Sequence, residues 1–238
     1  MLTSREAVVA HARHRLGLLR SSGTTLAIDV GSSKSGRDPS GRGAWVFDQV
    51  DVNIARLGVD MQTQVRVTAL LKRELDRWRI AACYWSLPFA TQAEQDAVKH
   101  AGQLEPGLPL EEVITDGAQP LADALTGALQ EPRLLPELYS TRGDHATIGS
   151  VIEEVFVGPA GRAAWEEFVG YVSDYTLRGS LRAAVITNDL GWLAANIDIG
   201  QPLTPYRFFY IWLRETDTWR IVISHDAVSR SLTSDLGG

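Results

Sequence analysis

The chain is poor in sulfur: 238 residues hold one cysteine, Cys83, and two methionines. A lone thiol excludes an internal disulfide, and without a cysteine pair there is no spacing for a structural zinc site. A reducing compartment fits this usage. Long apolar runs are missing too, since nowhere do about 18 apolar residues follow one another, the length a membrane helix needs. Residues 1–20 alternate charged with apolar positions and so lack a signal peptide's apolar stretch. There is no block of about five or six like charges, and the net charge is −6 with a pI near 5.4. That balance leaves no electrostatic footprint for nucleic acid or an anionic membrane surface. The expectation is a soluble, cytoplasmic protein with neither nucleic acid nor membrane among its partners.

What is present is a repeat. Arg73-Glu74-Leu75-Asp76-Arg77-Trp78-Arg79-Ile80 and Arg214-Glu215-Thr216-Asp217-Thr218-Trp219-Arg220-Ile221 agree at six positions of eight. The same offset pairs Arg66 with Arg207, and a slightly larger one pairs Ala44-Trp45 and Asp51 with Gly191-Trp192 and Asp198. Ser4-Arg5-Glu6-Ala7 aligns with Gly161-Arg162-Ala163-Ala164, so nothing in the first copy matches residues from about 117 to 160. Such a repeat predicts a duplicated supersecondary unit: a partial module over 1–90, a connecting helix and linker over 91–115, and a complete module over 116–238. Either the first module is a remnant or the start is misplaced. With 45% hydrophobic and 22% charged residues the composition is that of an ordinary globular protein, able to build one large core or two small ones.

The pattern predicts a helix over about 3–23, opened by a capping box at Thr3 and Glu6. A strand over 24–30, a Gly- and Ser-rich loop over 31–43, and strands over 45–54, 64–74 and 78–89 follow. Helices are expected over 91–104, 121–129 and 161–175, with a short helical piece before Tyr139, and short strands at 146–148 and 153–157. Four strands close the chain, over 181–187, 192–199, 206–215 and 219–229. In the third of these, Phe209, Ile211 and Leu213 share one face and Phe208, Tyr210 and Trp212 the other. A strand apolar on both faces is covered on both sides, here by its own module's helices and by a second sheet from the first module or a second chain, or else by loops.

The order of these signals resembles the SnoaL-like branch of the nuclear transport factor 2-like superfamily. Ile148-Gly149-Ser150, Glu154, Gly158 and the helix from Gly161-Arg162 look like its strand-and-turn motif, where Thr is usual in place of Ser150. Gly191-Trp192 looks like its strand opening, and Trp219-Arg220-Ile221 with His225 like its closing strand. That branch often has Ser two positions after the His, where this chain has Ala227; the first copy has Tyr84 and Ser86 at the corresponding positions. The resemblance covers about 117–230. It implies a cone-shaped α+β fold of cystatin-like type, duplicated, in which a curved antiparallel sheet wraps around helices and leaves a pocket at the open end. The superfamily holds isomerases, cyclases and epoxide hydrolases beside members that only bind or assemble, so the fold leaves the chemistry open.

Proton-shuttling members of that superfamily place a carboxylate or His in an apolar pocket. Here His225 is expected on the face of Trp219, Ile221 and Ile223, and Asn196 and Asp198 on that of Trp192, so that His225 or Asp198 could act as a base in one cavity. The alternative is a core histidine bonded to a neighbour and a solvated Asn196 and Asp198; the recurrence of Asp198 as Asp51 favours a structural role for both. Trp165, Tyr171, Trp192, Tyr206 and Tyr210 are candidates to line a pocket, or to be plain core. Glu154 is expected to fix a turn or pair with an arginine. His11 and His14 stand three apart without a third ligand, so no metal site is expected. Residues 27–35 look like the first phosphate loop of actin-type ATPases, but the chain is short for that fold, has no second Asp-Gly loop and fails the Walker pattern. No Gly-x-Ser-x-Gly elbow occurs, and no cofactor is expected. Three roles remain: a binding protein for a small apolar molecule, an isomerase, cyclase or hydratase, and an assembly module with a closed pocket. In each, the sheet faces are expected to pair in a homodimer or an intramolecular pseudo-dimer.

Overall fold

The computed structural model describes residues 25–31, 33–56, 59–102, 104, 110–172, 174–201 and 203–228. The helix expected over 3–23, with His11 and His14, lies outside them. Among the described residues no helix is long and apolar enough to cross a membrane.

The first sheet contains β1 (Thr25–Val30), β2 (Lys34–Arg37), β3 (Gly43–Arg56), β4 (Val59–Glu74) and β5 (Arg77–Ser86). It is antiparallel in the order β1-β3-β4-β5, with β2 beside β1 on the same edge of β3. The stretch expected as a loop over 31–43 thus contains a strand. Lys34-Ser35-Gly36-Arg37 has no apolar period to betray it; what holds it is the ladder to β3 and Trp45, whose ring lies where a side chain on Gly36 would stand, 2.1 Å from the position of a Cβ.

Helix α1 (Gln92–His100) follows, capped as expected by Thr91, whose Oγ1 accepts from the Glu94 amide. Then come β6 (Val113–Ile114), α2 (Gln119–Gln130), a 3₁₀ helix (Pro132–Leu138), β7 (Ala146–Ile148), β8 (Val155–Val157) and α3 (Pro159–Tyr171). The last strands are β9 (Tyr175–Leu177), β10 (Arg182–Thr187), β11 (Leu190–Ile199), β12 (Thr204–Glu215) and β13 (Thr218–Val228). They order as β6-β10-β11-β12-β13-β7-β8, and β9 also pairs with β11. Helix α3 stops four residues before its expected end at 175, because Tyr175 to Leu177 find ladder partners in Ile199 to Ile197. Local amphipathicity carries no trace of that pairing.

Strand β12 is covered on both faces. Phe208, Tyr210 and Trp212 pack under the helices with Leu121, Leu125 and Trp165, while Phe209, Ile211 and Leu213 meet Trp45, Phe47 and Leu70 of the first sheet. Each such side chain contributes about 1.5–3 kcal/mol by leaving water, so contact between the sheets is a large part of the stability.

The two repeated hairpins match in detail. Both turns place two residues at positive φ, Leu75 and Asp76 at 46° and 64°, Thr216 and Asp217 at 44° and 66°, the backbone that suits a two-residue hairpin. In each the leading arginine reaches the turn aspartate at 3.0 Å, Arg73 to Asp76 and Arg214 to Asp217. Each pairing also slips at the same point, between Leu70 and Leu71 and between Ile211 and Trp212, leaving Ala81 and Val222 as the extra residue of a β-bulge. This bulge corrects the expected face of His225. Strict alternation puts Ile221, Ile223 and His225 together, yet Ile221 packs under the helices and Ile223 against the first sheet. Beyond the bulge every side chain changes face.

Candidate functional site

A cavity of about 340 Å³ opens between α3 and the second sheet. Trp165, Phe168 and Tyr171 reach it from α3, Tyr206 and Phe208 from β12, and Asp226 from β13. The β7–β8 hairpin supplies Thr147, Ser150 and Glu154. Its lining is mainly apolar and rich in aromatic rings, with Trp165 edge-on to Phe168 at 5.5 Å and tilted to Phe208 at 6.1 Å.

Asp226 is the most buried carboxyl of the lining, 7% exposed. Burial, first, and the nearby Glu154 push its carboxyl well above the usual carboxylate range, against a partial offset from Arg66. Such a carboxyl favours its protonated form and can give or take a proton inside an apolar site. Glu154 is held where it is by its own turn: Oε2 accepts from the Val151 amide at 2.8 Å, and a Cβ at Gly149 would lie 2.3 Å from that oxygen. The turn-fixing role expected for Glu154 is therefore present, and the same carboxylate lines the cavity.

The first sheet and the connecting helix help build this wall. Arg66 of β4, fully buried, donates from Nη1 to the Gly149 carbonyl at 2.7 Å and from Nη2 to that of Ile152 at 2.5 Å. Burial lowers its pKa to about 10, which leaves it charged at neutral pH. The Phe89 amide donates to the Ser150 carbonyl, and the Ile152 amide to that of Phe89. From α1, Gln95 accepts from Ser150 Oγ at 2.7 Å and donates to the Tyr206 hydroxyl at 3.2 Å. Tyr206 therefore accepts from Gln95 and keeps its own proton to donate; burial raises its pKa.

Of the residues nominated from sequence, Trp165, Tyr171 and Tyr206 line the cavity. Tyr210 does not: it stacks on Phe208 at 5.3 Å in the closed core beneath the helices. Trp192, Asn196 and Asp198 share a face, as expected, but it is the face turned away from the helices. There Trp192 stacks on Phe209 at 5.9 Å, Asn196 accepts from Arg207 Nε at 2.8 Å, and Asp198 takes two bonds from Arg178, at 2.9 and 2.6 Å. His225 lies between the sheets. Its Nδ1 is 2.9 Å from Thr68 Oγ1 and its Nε2 2.8 Å from Ser86 Oγ, and its ring stands edge-on to Tyr84 at 4.7 Å. Burial, then Arg66, pushes its pKa down to about 3, so the ring is a neutral bridge between two hydroxyls. Thus Asp198 and His225 are each committed to a structural partner, and neither lines the cavity.

Sequence reasoning missed Asp226, Arg66 and Gln95 as site residues. Asp226 was within reach, since it follows His225 and takes the opposite face; the bulge at Val222 concealed that this face is the one under the helices.

No protein-family model matches the sequence, and no curated protein does. Among solved structures the chain is similar to a nuclear transport factor 2-like protein of unknown function from Pseudomonas putida, at 14% identity and a TM-score of 0.40 over 49% of this chain and 86% of that one. A protein with a cystatin-like fold from Caulobacter vibrioides matches at 15% identity and 0.39 over 49% and 90%. A candidate ketosteroid isomerase from Parabacteroides distasonis matches at 15% and 0.40 over 54% and 99%. These are likenesses of fold. With α2, the 3₁₀ helix and α3 on one face of a mainly antiparallel sheet, the second half of the chain has an α+β arrangement.

Proposed function

We propose that the cavity under α3 binds a small, mostly apolar molecule, with Asp226 as the polar group at its floor. One observation carries this reading: a buried carboxyl stands on the wall of an aromatic cavity, and among the described residues no other side chain hydrogen-bonds to it. Burying a carboxyl in an apolar wall costs stability, and a cavity that keeps one is shaped by something other than folding. Mostly apolar walls with a few convergent polar groups are the usual make-up of a ligand site.

A second reading is proton transfer, as in an isomerase, cyclase or hydratase. It is favoured by Tyr206, whose free hydroxyl proton shares the cavity with Asp226, and it assigns the acid or base role to Asp226 in place of His225 or Asp198. We also read the chain as a tandem duplication of SnoaL-like modules with a partial first copy, on the matched turns, ion pairs and bulges of the two hairpins. The packed sheets then form an intramolecular pseudo-dimer.

The binding reading is tested by titrating the full chain with a neutral probe, 2-naphthylmethanol, followed through tryptophan fluorescence. Saturable binding in the wild type that is lost in Ala164→Trp, which fills the cavity, supports it. Equal binding in both proteins ends it.

A further inference from the structure

Every charged side chain that lines the cavity is a carboxylate. Glu167 stands exposed at its edge, Glu154 is half-buried, and Asp226 is buried at the floor, with no lysine, arginine or histidine among the lining residues. Aromatic rings make up much of the rest of the wall, Trp165 meeting both Phe168 and Phe208, and ring faces attract cations. Thr147, 6% exposed and on the same wall, has a hydroxyl with no hydrogen-bond partner among the described residues.

We propose that the ligand is an organic cation: an apolar skeleton bearing an amine, its ammonium received by Asp226 and Glu154 and its body by the rings of Trp165, Phe168 and Phe208. This deepens the binding reading and rests on it. Charge balance points the same way. Arg66 is the cation nearest Asp226 and Glu154 in effect, but its guanidinium is spent on the Gly149 and Ile152 carbonyls. Two carboxylates against one guanidinium leave one negative charge in excess. While the cavity is empty, a proton on Asp226 relieves it. When an ammonium enters, that proton leaves to solvent and the carboxylate pairs with the ammonium, so the charge of the site is the same before and after. An anionic ligand has no such exchange, and the carboxylates at the mouth repel it.

Three probes of one shape test this on the full chain at low salt: 2-naphthylmethylamine, 2-naphthylmethanol and 2-naphthoate. The amine is expected to bind at least tenfold tighter than the alcohol, and the carboxylate at least tenfold weaker. Asp226→Asn and, separately, Glu154→Gln should each shrink the ratio of amine to alcohol affinity to about threefold or less. If the alcohol binds as tightly as the amine, the cation proposal is overturned while the pocket stands. If the ratio survives both substitutions, the amine is held elsewhere and the proposal likewise falls. Failure of all three probes to bind removes the pocket itself.

Discussion

His225 and Asp226 are neighbours on β13 whose side chains leave opposite faces of the sheet, His225 into the contact with the first sheet and Asp226 into the cavity beneath α3. One strand therefore carries a structural bridge and a cavity-lining carboxyl side by side. The bulge at Val222, four residues before Asp226, decides which is which.

Exchanging His225 for Ala should weaken the fold and leave the site working. The substitution opens a cavity against Phe47 and Tyr84 and strands the Thr68 and Ser86 hydroxyls. A loss of about 2–4 kcal/mol is expected in urea denaturation, with the probe affinity of the folded protein changed less than about twofold. The same variant should lose part of its acid sensitivity. A histidine in the unfolded chain takes a proton near pH ~6.5, whereas His225 resists until about 3, so its contribution to stability falls as pH drops from the first value toward the second.

Asp226→Asn should act in the opposite sense. The folded chain holds the Asp226 proton more tightly than the unfolded chain does, so stability falls as pH rises from the unfolded value near ~3.9 toward the folded one, by up to about 1.4 kcal/mol per pH unit. Glu154 from the β7–β8 turn and Arg66 from β4 set that shift, and Glu167 of α3 and Tyr206 of β12 share the cavity. The variant should have a higher urea midpoint than the wild type at pH 7–8 and the same midpoint near pH 3. Equal midpoints at both pH values would show that Asp226 is not held protonated.

Arg66 is a positioning residue for the wall. Arg66→Met should lower the affinity of any cavity ligand at least tenfold and speed amide hydrogen exchange at Gly149 and Ile152, because the two carbonyls it clamps are released. Arg66→Lys should not rescue either readout, since a point charge cannot span both carbonyls and Gln49 as the planar fork does.

The hairpin turns offer a gain. Leu75, 96% exposed, and Thr216 both sit at positive φ, where a side chain other than Asn, Asp or Gly is strained by about 1–2 kcal/mol. Leu75→Asn and Thr216→Asn should each raise Tm by about 2–4 °C, with Thr216→Asn giving at least as much because its branched Cβ suits that backbone least.

The elements were largely legible. Strands β3, β4, β5 and β10 to β13 and helices α1 and α2 follow from apolar period, turn residues and caps, which act within a few residues of the chain. The pocket aromatics Trp165, Tyr171 and Tyr206 were legible for the same reason, through the helix and strand faces they occupy. What escaped was long-range. Strand β2 is held by Trp45 and the β3 ladder, β9 by its pairing with β11, and neither signal is in the segment itself. His225 and Asp198 looked like reactive groups because residue type and spacing do not reveal Thr68, Ser86 or Arg178 as their partners.

The sequence alone determined the α+β class, the repeated hairpin and a β12 that must be buried on both faces, since each rests on local propensity and side-chain alternation. Only the tertiary structure decided that Asp226, and not His225, enters the cavity. A β-bulge reverses alternation through a slip against the partner strand, and the environment that makes a carboxyl unusual is assembled from burial, Glu154 and Arg66, groups that meet only when the chain is folded.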